Sequence, residues 1–257
     1  MDNQTLKGLY EKVYEKGAYQ NFYTFLSTEE ALDILSKDKW QGKKVLEIGC
    51  GEGDLASMLT FCGSAVLAID YAQSAIDVAV SKYRVPNLEF RCCSYAELSV
   101  DKASQFDIVV MQGVLEHLDD PLEALKTISA KLLKRPGKII TSSPSFLNPR
   151  GYIWMTLALL FDVPMSLSDV HFLCPFNFKI FAQELGADLT FSSVDQDWGH
   201  GERLLVDFNK RLRNALRDAG LDTQNVDKFL NWLSKTIEYT SYTSFSGADI
   251  VYEFCFK

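Results

Sequence analysis

The chain has 257 residues, 47% of them apolar and 23% charged, with a formal net charge of −8. That length supports one large α/β domain with a sizeable core, and an acidic chain without a dense Lys/Arg run lacks the electrostatic footprint of a nucleic-acid binder. The six cysteines (Cys50, Cys62, Cys92, Cys93, Cys174, Cys255) form no CxxC pair and no metal-ligand spacing; with the polar opening MDNQTLKG they read as reduced thiols of a cytoplasmic protein that needs no metal.

Residues 1–43 read as helical. Leu6, Leu9, Tyr10, Val13 and Tyr14 fall on one stripe and Ala31, Leu32, Ile34 and Leu35 on another, with the aromatic stretch AYQNFYTFL between them. The stretch around which the chain is organised follows, VLEIGCGEGDLASML. Val45, Leu46 and Ile48 form a short apolar run suited to a strand buried on both faces, Gly49, Gly51 and Gly53 alternate after it, and Leu55, Ala56, Met58 and Leu59 recur at helical spacing. Strand, glycine turn and helix in that order bring bare backbone against a ligand at the crest of a parallel strand. A dinucleotide fingerprint calls for a third glycine at position 54, where this chain has Asp54, whose charge opposes a diphosphate. Glu47, on the strand itself, suits a cationic ligand instead.

The pattern Glu47-x-Gly49-x-Gly51-x-Gly53 resembles the first motif of class I S-adenosylmethionine-dependent methyltransferases, with features similar to ubiquinone-biosynthesis O-methyltransferases. The resemblance implies S-adenosylmethionine as cofactor and a Rossmann-like, doubly wound, mostly parallel seven-stranded sheet. Ala65 to Ile69 supplies a second strand ending in Asp70, an acidic residue placed to accept both ribose hydroxyls. By the resemblance, Tyr71 borders the adenine; a core aromatic at a helix start is the alternative. Asn87 to Cys92 is a third strand, followed by Ser94 where the family often carries Asp, so that Ser94 or the Tyr95 backbone takes over the adenine contact.

Phe106 to Met111 reads as a central fourth strand. The stretch FDIVVMQGVLEHLDDP resembles the family's fourth motif, which puts Gln112 beside the methionine part of the cofactor and opens His117 towards the transferred methyl; a structural hydrogen bond within the turn is the other reading of His117. Pro136-Gly137 resembles the family's turn into strand five. GYIWMTLALLF (151–161) is apolar all round, which argues for burial as an acceptor-pocket wall, a lid or a core helix, with a membrane-dipping lip as a further option; it is too short to span a bilayer. DVHFLCPFNFKIFAQELGA resembles a segment found in many family members, with His171 before an aromatic pair and Gly186 as a helix C-cap. Strands six and seven fall at Asp188–Val194 and Asp249–Phe256, and the insertion between them (about 196–248) reads as two amphipathic helices, a cap or a homodimer contact.

The expectation is a single domain over 1–257: an N-terminal helical segment (1–43), a cofactor half (44–145) and an acceptor half (146–257). It moves a methyl group to a small-molecule or sugar acceptor, most readily a hydroxyl, with His117 or His171 as base and His200 as a more distant candidate. The rival readings are a non-catalytic nucleotide-binding or scaffold protein of this fold, and an NAD-dependent oxidoreductase.

Overall fold

The computed structural model describes residues 8, 11, 28–98, 105–164 and 169–257. The expected stripe at Leu6 to Tyr14 and the aromatic stretch 18–26 lie outside the described residues. The described elements are α1 (Thr28–Ser36), β1 (Lys44–Ile48), α2 (Asp54–Phe61), β2 (Ala65–Asp70), α3 (Gln73–Lys82), β3 (Leu88–Cys92), β4 (Phe106–Gln112), α4 (Pro121–Lys131), β5 (Leu133–Pro144), α5 (Pro149–Phe161), α6 (Pro175–Leu185), β6 (Asp188–Val194), α7 (Gln196–His200), α8 (Glu202–Asp218), α9 (Val226–Thr236) and β7 (Asp249–Phe256), with single 3-10 turns at Leu115–His117 and Ile237–Tyr239.

The strands form one sheet in the order β3-β2-β1-β4-β5-β7-β6. β1 pairs in parallel with β2 and with β4, while β7 runs antiparallel to both β5 and β6. Strand order therefore reverses between β1 and β4, and a crevice opens above their carboxyl ends, where an open α/β sheet binds ligand. Period-two alternation sorts the side chains onto two faces. Leu46, Ile48, Val109 and Met111 pack with Leu125, Ile128 and Phe178 of α4 and α6. Val45, Ile108 and Val110 pack with Ile34, Leu55, Ala56, Leu59 and Ile76 of α1 to α3.

Several ends are set by local chemistry. Asp120 caps α4 through the Glu123 N–H at 3.0 Å with Pro121 in the first turn, and Asn148 caps α5 through the Gly151 N–H at 2.7 Å with Pro149 next. Gly186 closes α6 at φ +64°, a conformation costly to side-chain-bearing residues. The Pro136-Gly137 step is not a turn ahead of strand five. It lies inside β5 as an irregularity: Leu133 pairs with Phe106, and regular pairing resumes with Lys138 beside Ile108.

Residues 146–257 depart most from the sequence reading. The insertion holds three helices, α7, α8 and α9, and it does not stand apart from 151–161. Trp154 of α5 joins Leu204, Phe208, Leu212, Val226 and Leu233 in a third hydrophobic cluster, and its ring stacks on Phe208 at 5.2 Å. The apolar stripe of α8, which suggests a dimer contact, is thus covered by α5 and α9 of the same chain. Asp207 ties the unit together: its buried carboxylate accepts from Arg150 Nε at 2.9 Å, Arg211 Nη1 at 3.0 Å and Trp154 Nε1 at 3.1 Å. The expectation that 151–161 is buried all round fails. Only Gly151 and Trp154 are buried, while Leu159 and Leu160 are 70% exposed and Tyr152 and Phe161 more than half so, because the cluster needs one face of α5 and leaves its C-terminal turn without a cover.

Candidate functional site

The site starts at the glycine turn. Gly49 and Cys50 donate their N–H groups to the Ile69 carbonyl, and Gly53 donates to Cys50, which folds the turn back over the end of β2. Gly49, Gly51 and Gly53 all take positive φ (+74°, +50° and +82°), which side-chain-bearing residues disfavour. A Cβ on Gly49 would meet Val114 at 2.6 Å, and one on Gly53 would meet the Phe90 ring at 2.6 Å. These two glycines are therefore required by the protein's own packing as much as by any ligand.

Asp70 closes the turn from beneath. Its Oδ2 accepts the Gly51 N–H at 3.0 Å and its Oδ1 the Ala72 N–H at 2.9 Å. Burial raises its pKa, against those two backbone donors. Just after it, Glu11 of the N-terminal segment caps α3, accepting from the Gln73 N–H at 2.9 Å and the Ser74 N–H at 3.1 Å. Tyr71 is half-buried beside this cap, and its carbonyl faces the Cys92 thiol. Ser94 donates its N–H to Glu97 at 2.7 Å, and Tyr95 packs partly buried against the core. Asp54 does not carry its charge alone. It pairs with Lys82 at 3.1 Å and with the Tyr83 hydroxyl.

Glu47 lies under the turn, 2% exposed, and its Oε2 has no hydrogen-bond partner among the described residues. Burial, reinforced by the charges of Asp70 and Asp54, pushes its carboxyl up to about 8. A buried acceptor of this kind at the mouth of a glycine turn suits a ligand carrying positive charge.

Across the crevice, Gln112 ends β4 and donates Nε2 to Glu30 Oε2 at 2.7 Å. The next turn carries Glu116 and His117. Glu116 is buried; burial first and the charge of Asp169 second raise its carboxyl well above the usual range, and it accepts from Ser143 Oγ at 2.9 Å. Its backbone carbonyl accepts the N–H groups of both Val170 and His171, so the 169–171 strand of loop is laced onto the turn. That lacing brings Asp169 Oδ1 to 3.4 Å from His117 Nδ1 and puts His171 Nε2 3.1 Å from the Asp119 carbonyl.

The turn that carries His117 and the loop that carries His171 are thus hydrogen-bonded to each other. His200 stands apart: it sits in the helical insertion, its Nδ1 3.1 Å from Thr240 Oγ1 and its ring beside Tyr242. Sequence reasoning missed Asp169 and Glu30. The first stands two residues before His171, within the recognised segment, and was legible in principle. The second lies on α1, some 80 residues away from the strand end it meets, and nothing local marks it.

Residues 46–141 match the family model for the methyltransferase domain. Over that stretch, little more than a third of its length, the chain is similar to methyltransferase domains. The methyltransferase relatives include the ubiquinone biosynthesis O-methyltransferases of Acinetobacter baylyi, 33% identical over 136 residues (51% of this chain, 56% of that protein), and of Neisseria meningitidis, 31% identical over 156 residues (58% and 65%). The chain thus spans little more than half the length of the curated relatives it matches. Among solved methyltransferase structures, a Thermotoga maritima S-adenosylmethionine-dependent enzyme superposes with a TM-score of 0.63 at 13% identity, covering 97% of this chain and 99% of that one. A Haloferax volcanii methyltransferase solved with an activator protein gives 0.63 at 14% identity, covering 95% and 96%. At these identities the likeness is one of fold. S-adenosylmethionine is the cofactor of a class I methyltransferase, and the orphaned Glu47 oxygen, the Asp70 position at the end of β2 and the Gln112 position at the end of β4 fit a cationic nucleoside.

Proposed function

We propose that this chain transfers the methyl group of S-adenosylmethionine to a hydroxyl of a small-molecule or sugar acceptor. The observation that carries the reading is the His117–Asp169 pair, 3.4 Å apart at the carboxyl end of β4. When bound, the cofactor would supply an activated methyl group, whose bond to sulfur would break as the acceptor oxygen bonds to its carbon, with S-adenosylhomocysteine as the leaving group. This chain's residues bind and orient it: Asp70 takes the ribose hydroxyls with the lone pairs its backbone donors leave free, Tyr71 borders the adenine, and Ser94 with the Tyr95 backbone reads its edge. Glu47, Gly49, Gly51, Gly53 and Gln112 hold the methionine part. His117 takes the proton from the acceptor hydroxyl as the bond to carbon forms, and Asp169 orients the ring and stabilises the imidazolium. His171, bonded to the Asp119 carbonyl, braces the loop that delivers Asp169. In line with this reading, the names of the relatives describe O-methylation, and no helix among the described residues is long and apolar enough to cross a membrane.

A second reading has its own observation. Glu30 and Glu116 are buried and Asp249 half-buried, on α1, the turn after β4 and β7, and all three carboxyls have raised pKa around the same strand ends. Such a ring would bind an amine as its ammonium ion and take up the proton that must leave before the nitrogen lone pair can attack. Turnover with labelled S-adenosylmethionine across a phenol, a sugar and an amine panel separates the two. His117→Ala and Asp169→Asn should each slow hydroxyl methylation by about 10²-fold or more with cofactor affinity kept. Unaltered turnover in both variants refutes the histidine base.

A further inference from the structure

We infer that Glu30 is a positioning residue that acts through Gln112, fixing the side-chain amide at the end of β4 so that its carbonyl faces the cofactor. The inference rests on the methyltransferase reading above, which places Gln112 beside the methionine part of the ligand.

Four observations converge. First, α1 is held over the sheet edge by polar contacts of its own: Glu29 accepts the Asp195 N–H at 2.8 Å, and the Ser192 hydroxyl donates to Asp33. Ile34, fully buried among Val45, Leu55 and Leu59, sets the rotation of the helix. Second, that rotation turns Glu30 inward; it is 9% exposed, whereas Glu29 beside it is exposed. Third, the Glu30 carboxylate receives the Gln112 amide at 2.7 Å and a hydrogen bond from the Ser142 hydroxyl. Fourth, Ser142 itself accepts the Gly113 N–H at 3.1 Å, so its proton is free to go to Glu30. The result is a chain from the Gly113 backbone through Ser142 to Glu30, with Gln112 donating to Glu30 from the other side.

The chemistry follows from donor and acceptor inventories. Glu30 receives the NH₂ end of the Gln112 amide through Oε2, which leaves Gln112 Oε1 turned the other way. A carbonyl dipole presented at the strand end attracts positive charge, which both the sulfonium and the α-ammonium of S-adenosylmethionine carry. Without Glu30 the amide is free to present its NH₂ end, which repels those groups. Asp195, Asp249 and Glu116 also face Glu30. None of them is bonded to the Gln112 amide.

The test is a double-mutant cycle read by calorimetry with S-adenosylhomocysteine, which keeps the α-ammonium, together with the KM for S-adenosylmethionine. Glu30→Ala should weaken S-adenosylhomocysteine binding about tenfold, the factor carried by one ordinary hydrogen bond, and raise KM more than it lowers kcat. Gln112→Ala should weaken binding by a similar factor. The double variant should bind no more weakly than Gln112→Ala alone, because Glu30 has nothing left to orient. Glu30→Gln, close in shape and still able to accept through its own carbonyl, should recover binding to within about threefold; it also guards against a folding defect in the alanine variant. Additive losses in the double variant, or unchanged affinity in Glu30→Ala, overturn the inference while leaving the methyltransferase reading intact. Failure of the unmodified protein to bind S-adenosylhomocysteine overturns both.

Discussion

Replacing Glu47 by glutamine removes a buried ionisable group from beneath the glycine turn without changing its shape, and the consequence can be worked out. Burial first, then the charges of Asp70 and Asp54, lift the Glu47 carboxyl from an ordinary value of 4.5 to about 8, against one backbone hydrogen bond from Ala56. Between those two values the folded protein keeps a proton that the unfolded chain releases. Its contribution to stability is therefore complete below pH 4.5 and is lost as pH rises towards 8. At pH 7 the loss from this one group amounts to about 3 kcal/mol, at roughly 1.4 kcal/mol per pH unit. The uncharged amide of the variant carries no such dependence. Urea denaturation of both proteins at pH 5, 6, 7 and 8 should show the Glu47→Gln variant gaining on the parent by roughly 1.4 kcal/mol per pH unit up to about pH 7.5 and then levelling off. Titrating groups that do not interact with Glu47 cancel in the difference. Saturating S-adenosylmethionine, whose positive charges favour the ionised carboxyl, should shrink the parent's decline. Parallel pH curves for the two proteins, without ligand, would refute the assignment of a buried, proton-holding Glu47.

Two further outcomes follow from the same contacts. Asp70→Ala strips the acceptors from the Gly51 and Ala72 N–H groups as well as from the ribose; each charge-assisted bond is worth about 1.5–3 kcal/mol, so calorimetry should show cofactor affinity falling by at least tenfold and thermal unfolding should come earlier. Unchanged affinity in a folded variant would remove Asp70 from the ribose site. Asp207→Ala leaves the buried Trp154 N–H and the half-buried Arg150 without their acceptor and should destabilise the protein by about 3 kcal/mol in thermal or urea unfolding. Burial alone would raise the Asp207 carboxyl, but Arg150 and Arg211 outweigh it and hold it below the usual range, so this stabilisation is complete above that range and is lost as pH falls through the lowered value. An Asp207→Ala variant as stable as its parent at neutral pH would show that the insertion does not depend on this hub.

The strands were legible because their signals are local. Asp188–Val194 and Asp249–Phe256 fall where apolar runs and flanking turn residues place them, and Gly186 closes its helix as the pattern requires. The 151–161 segment misled because its composition is uniform. An all-apolar helix carries no stripe to say which side is covered, and here one side meets Phe208 while Leu159 and Leu160 face outward. The glycine turn was read correctly as a turn, yet part of its reason was hidden: Val114 and Phe90, 65 and 37 residues beyond the glycines they crowd, fill the space a side chain would need.

By itself the sequence determined what depends on neighbours along the chain: the strand–turn–helix unit from Val45 to Leu59, the acidic end of β2 at Asp70 and the strand end at Gln112. Only the tertiary structure decided what depends on partners far apart in sequence. It put Asp169 against His117, bent the Glu116 carbonyl to the 169–171 loop, turned Glu30 of α1 onto Gln112 and merged α5 with the insertion around Asp207. The physical reason is that hydrophobic spacing and turn chemistry act over a few residues, whereas the pairing and burial of a charge are set by whichever elements the sheet order brings alongside it.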